Sequence, residues 1–191
     1  MNVIAVNGSP RADGNTAALL RTVCDALERE GIATETFHLG GKAVRGCTAC
    51  YRCFETKDGL CALPDDAVSA ALEKMKKADG ILLGSPTYFA DVTAEMKALI
   101  DRAGLVSRAS GDLLRRKVGA GVVAVRRAGA VHAFDTLNHF FLIGQMIVPG
   151  SIYWNLGIGR DKGEVQDDEE GLRTMTVLGE NMAYLLKRLH G

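Results

Sequence analysis

Short apolar runs alternate with longer amphipathic stretches along the whole chain, and that alternation restricts the fold more than any other feature. Asn2 to Val6, Ile81 to Leu83 and Val118 to Val125 are short and almost wholly apolar, the pattern of strands covered on both faces. Ala33 to His38 reads as a second strand, and a fifth falls near Ile147 to Trp154, broken by Pro149-Gly150. Between them, Asn15 to Glu30 puts Leu19, Leu20, Val23 and Leu27 on one helical face and is closed by Gly31. Pro64-Asp65-Asp66 starts a helix that turns Val68, Ala71, Leu72 and Met75 inward. Further helices are expected around Thr93 to Ala103, from Ala130 to Met146 and from Leu172 to Leu189. The Ala130 to Met146 stretch spreads apolar residues beyond one stripe, so it is expected to be buried on more than one side. Gly157 to Gly171 is polar and Gly-punctuated, and reads as a loop. Tyr153 and Trp154 end the fifth strand, where core packing is expected. The result is an α/β chain, a three-layer sandwich around a five-stranded parallel sheet in the order 2-1-3-4-5.

With 191 residues and 47% hydrophobic content, a single domain over 1–191 can bury a substantial core. Twenty-three basic residues balance twenty-three acidic ones, leaving no electrostatic footprint for nucleic acid or an anionic membrane. The expected partners are small molecules or redox proteins. Met1 leads directly into a strand without a basic leader, and no apolar segment reaches membrane-spanning length, so a cytoplasmic protein with reduced thiols is expected.

Four of the five cysteines fall within fifteen positions, as Cys47-x-x-Cys50-x-x-Cys53 followed by Cys61. Thiolates so spaced on a loop after the second strand can converge on one centre, and four satisfy a [4Fe-4S] cluster or a tetrahedral zinc. Gly46 and Gly59 give the backbone freedom to wrap. A thiol switch built on the overlapping C-x-x-C units leaves Cys61 unexplained, and disulfides do not suit a reducing compartment. Cys24 lies apart on a helix, as a small buried apolar residue.

Two turns at the carboxyl edge of the sheet carry the remaining chemistry. Asn7 to Thr16 offers the hydroxyls of Ser9 and Thr16, the Asn15 amide, the Arg11 cation and free helix-end N–H groups, the ingredients of a phosphate cradle. Ordinary turn and N-cap chemistry accounts for the same residues equally well. Ser85 to Thr93 follows the third strand and places Tyr88 and Phe89 where no core needs them, so a planar ligand can lie against the loop. Strands 1 and 3 flank the point where the winding direction reverses. A phosphate on one turn and a flat ring on the other fit FMN.

Gly8-Ser9-Pro10-Arg11 with Gly14-Asn15-Thr16, then Ser85-Pro86-Thr87-Tyr88-Phe89 with Lys97 and Asp101-Arg102, resemble the flavodoxin-like family of NADPH-dependent FMN reductases. The cysteine run between them resembles that family's iron-sulfur flavoprotein branch. The resemblance implies that Ser9, Arg11, Asn15 and Thr16 surround the FMN phosphate. Pro86, Thr87, Tyr88 and Phe89, with Asp91 of the same turn, would run along the ribityl chain and isoalloxazine, and Cys47, Cys50, Cys53 and Cys61 would hold a [4Fe-4S] cluster. Ala90 stands where relatives usually carry Gly, and Val125-Arg126-Arg127-Ala128-Gly129 replaces a Gly-rich turn. Arg126 or Arg127 there can stabilise charge on a reduced flavin.

The expected function is an oxidoreductase passing electrons between cluster and flavin to a small acceptor, assembled as a homodimer or homotetramer. An NAD(P)H-dependent FMN or quinone reductase without a cluster, its cysteines holding zinc or nothing, and a redox-sensing module with a cysteine switch are the alternatives. No residue stands out as acid or base. His132, at the start of the helix after Gly129, is expected to be solvated or capping, while His38, His139 and His190 carry no signal. Asp167 to Glu170 read as favourable charge at a helix start.

Overall fold

The computed structural model describes residues 1–63 and 66–190. Five parallel strands, β1 (Asn2–Asn7), β2 (Ala33–His38), β3 (Gly80–Pro86), β4 (Val118–Val125) and β5 (Leu156–Ile158), lie in the order β2-β1-β3-β4-β5. The helices are α1 (Asn15–Arg29), α2 (Arg52–Thr56), α3 (Ala67–Lys77), α4 (Ala94–Ala109), α5 (Ala130–Ile143) and α6 (Glu169–His190), with a 3-10 turn at Glu164–Asp167. This is the flavodoxin-like three-layer sandwich, with the cysteines after β2.

Strand alternation divides the core in two. Val3, Ala5, Leu82, Val118, Ala120, Val122 and Ala124 face α1 and α6 through Leu19, Leu20, Val23, Met175, Leu178 and Met182. Ile4, Val6, Ile81, Leu83, Val123 and Val125 face α3, α4 and α5 through Leu72, Met75, Met96, Leu99, Leu137 and Phe141. Removing a large apolar side chain of this kind from water contributes about 1.5–3 kcal/mol, so the central strands anchor both layers. α1 ends where Gly31, at φ 77°, lets its own N–H reach Glu28 O and the Ile32 N–H reach Leu27 O, the paired bonds that satisfy the last carbonyls of the helix.

Several boundaries differ from those the sequence suggested. β3 runs on through Gly84-Ser85-Pro86, expected as a turn, because Ser85 and Pro86 still pair with Val123 and Ala124. α4 continues past Ala103 to Ala109, its Gly104 facing the Phe140 ring, which an added Cβ would meet at 3.7 Å. α5 stops at Ile143, since Gln145 takes a left-handed φ of 56°. The fifth strand is not Ile147 to Trp154. Ile147 makes one isolated bridge to Val118, and pairing resumes only where the Val123 N–H reaches Asn155 O, ahead of β5. Tyr153 and Trp154, expected in the core, are 63% and 53% exposed. The expected loop from Gly157 to Gly171 instead contains most of β5, the 3-10 turn and the start of α6.

α5 buries Phe134, Leu137, Phe140 and Phe141 but leaves Leu142 and Ile143 exposed, so it is covered along one face and bare at its end. The helix start read at Pro64-Asp65 lies outside the described residues, and α3 begins after Asp66, whose carboxylate accepts from the Val68 and Ser69 N–H groups. Among the described residues, no helix is long and apolar enough to cross a membrane.

Candidate functional site

The β1–α1 and β3–α4 turns are stitched together from beneath. The Gly8 N–H donates to Gly84 O at 2.8 Å, and the buried Thr93 hydroxyl donates to Gly8 O at 2.8 Å. Thr93 also caps α4 by accepting from the Met96 N–H. From the β2 side, the His38 Nε2 meets Ser9 O at 2.8 Å, and the Leu39 and Gly40 N–H groups both donate to Asn7 O. His38, silent in the sequence, therefore braces the first turn.

α1 begins differently from α3 and α4. It starts on Gly14 with no side-chain cap among the described residues and no acidic residue in its first turn, as α5 does on Gly129, whereas α3 and α4 carry side-chain caps. The orphan N–H groups at that end open onto a cavity of about 210 Å³, lined by Ser9, Arg11, Gly14, Asn15, Thr16, Pro86, Thr87, Tyr88, Ala124, Arg126, Gly159 and Arg160. No carboxylate lines it, and among the described residues Arg11, Arg126 and Arg160 form no ion pair. Three guanidinium groups with no ion-pair partner among the described residues and an open helix end have the chemistry that suits an anion. Thr87 lines the same cavity, and its Oγ1 is buried with no hydrogen-bond partner among the described residues, an unmet polar group beside the site.

Of the eleven expected flavin contacts, Ser9, Arg11, Asn15, Thr16, Pro86, Thr87, Tyr88 and Arg126 line this cavity. The Asn15 side chain is directed elsewhere: its Nδ2 donates to Asp161 O at 2.9 Å and its Oδ1 accepts from the Gly163 N–H at 2.9 Å. With the Lys162–Asp13 ion pair, it straps the 159–163 segment over the turn. Arg127 faces a separate cavity of about 360 Å³ beside Tyr153 and Trp154. Phe89 and Ala90 occupy the left-handed corner of a tight turn closed by reciprocal Tyr88 and Asp91 backbone bonds, which leaves Phe89 109% exposed at the tip.

Asp91 looks away from the cavity, accepting from the Thr136 hydroxyl and the Val92 N–H, both at 2.7 Å, with His132 Nε2 at 3.5 Å. Burial works against its ionisation, but those hydrogen bonds outweigh it and hold its carboxyl below the usual range. Gly159 and Arg160 escaped sequence reasoning because they follow a strand placed too early. A polar Gly-Arg pair after a buried run was the available signal.

The four clustered cysteines, far less regular in backbone, line one narrow pocket of about 20 Å³ with Leu63, Arg102, Leu105 and Val106. Cys53 sits on the short α2 and is buried, Cys61 is half-buried, and Cys47 and Cys50 are exposed. Ala49, Tyr51 and Lys57 all take positive φ near 50°, so the loop holds three non-glycine residues in a conformation that costs roughly 1–2 kcal/mol each. The Ala49 N–H donates to Cys47 Sγ at 3.4 Å, as amides do to thiolate ligands. Burial pushes the Cys53 thiol up. Among the described residues the donor set is all sulfur, with no His, Asp or Glu in the pocket lining, and no three such groups stand converged for a single ion. Cys24 is apart and buried, its thiol pushed up to about 11 chiefly by burial.

Arg102 closes this pocket from α4. It is only 1% exposed and donates through Nη1 to Arg45 O at 3.2 Å and Asp66 Oδ2 at 2.5 Å, and through Nη2 to Ser69 Oγ at 3.3 Å. For Asp66, burial opposes ionisation, yet the hydrogen bonds from Arg102 and the Ser69 and Val68 N–H groups prevail and hold its carboxyl below the usual range.

Comparison with known proteins gives a consistent result. The profile of the family described as NADPH-dependent FMN reductase matches residues 1–161. An iron-sulfur flavoprotein of Methanocaldococcus jannaschii is 41% identical, with 98% of each chain covered. Another, from Methanosarcina thermophila, is 28% identical over 98% of this chain and 96% of its own. Among solved structures, RosB with bound 8-demethyl-8-formylriboflavin-5'-phosphate superposes with a TM-score of 0.78 at 20% identity, covering 99% of this chain and 80% of that one. A flavodoxin from the domain Archaea gives a TM-score of 0.63 at 17% identity, over 98% and 99%. The last two speak to the fold alone.

Proposed function

This chain belongs to the NADPH-dependent FMN reductase family, in its iron-sulfur flavoprotein branch, and we propose that it is an electron-transfer oxidoreductase holding FMN at the α1 cavity and a [4Fe-4S] cluster at the four cysteines. The observation that carries the reading is the convergence of an uncapped helix start, three unpaired guanidinium groups and the orphaned Thr87 hydroxyl on one cavity. At about 210 Å³ the cavity is smaller than the roughly 300–1,000 Å³ that encloses a whole small molecule, so it suits a phosphate and polyol chain, leaving a flat ring to the Tyr88 rim.

Within this reading each residue has a task. Arg11 and the N–H groups at the start of α1 hold the phosphate dianion. Thr87 takes a hydroxyl of the ribityl chain. Arg126, on the β4 turn, stabilises negative charge at the ring edge, while Arg127 is left for the neighbouring surface. Asp91, occupied by Thr136, fixes the turn that carries Tyr88 and Phe89. Cys47, Cys50, Cys53 and Cys61 supply the four thiolates, a set that fits an iron-sulfur cluster by its chemistry and agrees with the names of the relatives. When bound, flavin supplies two-electron chemistry and the cluster single-electron steps.

The exposed Leu142 and Ile143, beside a groove of about 740 Å³ between α4 and α5, support a homodimer or a pair of dimers. The test of the flavin reading is flavin fluorescence quenching with FMN and riboflavin. Charge-assisted hydrogen bonds to phosphate contribute about 1.5–3 kcal/mol each, so FMN is expected to bind at least about tenfold more tightly per bond, and equal affinities would refute the site.

A further inference from the structure

Arg102 has a feature that loop closure alone does not require. Its Nη1 alone joins Arg45, two residues before Cys47, to Asp66, five residues after Cys61, so one guanidinium ties both stems of the cysteine excursion. Its Nε is buried with no acceptor among the described residues, and the side chain forms part of the wall of the four-cysteine pocket. Tying two stems needs hydrogen bonds, which neutral groups supply without the several kcal/mol that burying a cation costs. Asp66 balances the charge from the start of α3.

We propose, building on the reading that the four cysteines hold an iron-sulfur centre, that Arg102 is a positioning residue that sets the reduction potential of that centre, through a fixed positive charge and a spare Nε–H donor in the pocket wall. Four thiolates make the oxidised centre anionic, and gaining an electron makes it more so. A buried cation beside it favours the reduced form more than the oxidised one, and a donor to sulfur acts in the same direction. Asp66 acts oppositely, by offsetting the cation. Arg102 therefore raises the potential and Asp66 moderates it, a pair of opposed effects that a purely structural clamp would not produce.

The experiment uses full-length protein purified anaerobically, with iron and sulfide measured per chain. The midpoint potential is then titrated with dithionite as electron donor and followed by the electron paramagnetic resonance of the reduced centre. Arg102→Met is expected to lower the reduced-to-oxidised ratio at fixed potential at least tenfold, equivalent to about 59 mV for a one-electron couple. Arg102→Lys, keeping charge but losing the fork, should shift less in the same direction. Asp66→Asn keeps a competent helix cap and the cation, and should shift the potential upward. If Arg102→Met fails to accumulate, the opposed shifts of Arg102→Lys and Asp66→Asn decide the matter. Loaded variants with the wild-type potential, or with shifts all of one sign, overturn the proposal. Wild-type protein free of iron and sulfide defeats the cluster reading itself and this inference with it.

Discussion

Substituting Gly40 by alanine tests how the β2 edge supports the proposed flavin cradle. An added Cβ there would lie 2.1 Å from Ser9 O, 2.2 Å from Ser9 C and 2.6 Å from Gly8 O, all backbone atoms of the first turn. Ordinary contact requires roughly 3.5 Å, so the two segments must separate by about 1 Å or more, and no side-chain rotation relieves the clash. Overpacking of this kind typically costs about 1–3 kcal/mol, and a rigid receiving surface places Gly40→Ala at the upper end, about 3 kcal/mol. The displaced turn carries the donors assigned to the phosphate. Losing the geometry of a single charge-assisted bond weakens FMN by about 1.5–3 kcal/mol, roughly 10- to 150-fold. Urea unfolding of the flavin-free protein reads the first quantity and fluorescence titration the second. Gly46→Ala, whose added Cβ meets nothing within 4 Å among the described residues, is the control and should change neither. If Gly40→Ala unfolds within about 0.5 kcal/mol of the parent and binds FMN equally well, the close approach is not what holds the turn.

Cys53→Ala removes the buried member of the proposed ligand set and should abolish the broad iron-sulfur absorption while leaving that of FMN; retained iron and sulfide would exclude Cys53 as a ligand. The folded-state pKa of Asp66 lies below its ordinary 3.8, so its contribution to stability is complete above 3.8 and lost as pH falls through the lower value. Asp66→Asn should flatten the acid limb of a stability profile followed by circular dichroism, and an unchanged limb would assign acid unfolding to other carboxylates. Light scattering at micromolar concentration should give the mass of a dimer or larger, with a monomer refuting the assignment of the bare end of α5 to a subunit contact.

The central strands were legible because burial on both faces leaves an unambiguous apolar run, and β4 falls on Val118–Val125 as read. β5 was not, because an edge strand of three residues carries too little pattern to compete with the longer apolar run at Ile147 to Trp154. That run lacks an N–H at Pro149 for a ladder and ends in exposed aromatics instead. The extension of α4 was hidden by Gly104 and Ser107, poor helix formers whose places are fixed by tertiary contact: Gly104 faces Phe140, and the Ser107 hydroxyl accepts from the Leu114 N–H. In the candidate site, the first turn was visible as a cluster of small polar residues and the second as two adjacent aromatics that no core needs. His38, Gly159, Arg160 and the clamp of Arg102 were not, since each acquires its role only when segments distant in sequence meet.

The strap over the first turn bears on how long a bound cofactor would stay. It consists of two Asn15 hydrogen bonds and the exposed Lys162–Asp13 pair, joined to the sheet by the Gly159 N–H to Val125 O bond. An exposed ion pair contributes about 0–1 kcal/mol and a hydrogen bond about 1, so lifting this segment is a local opening far smaller than global unfolding. For FMN bound as proposed, lifting this segment is one salt-sensitive step of exchange, added to the bonds of the cofactor itself and separable from the folding of the sheet that carries both turns.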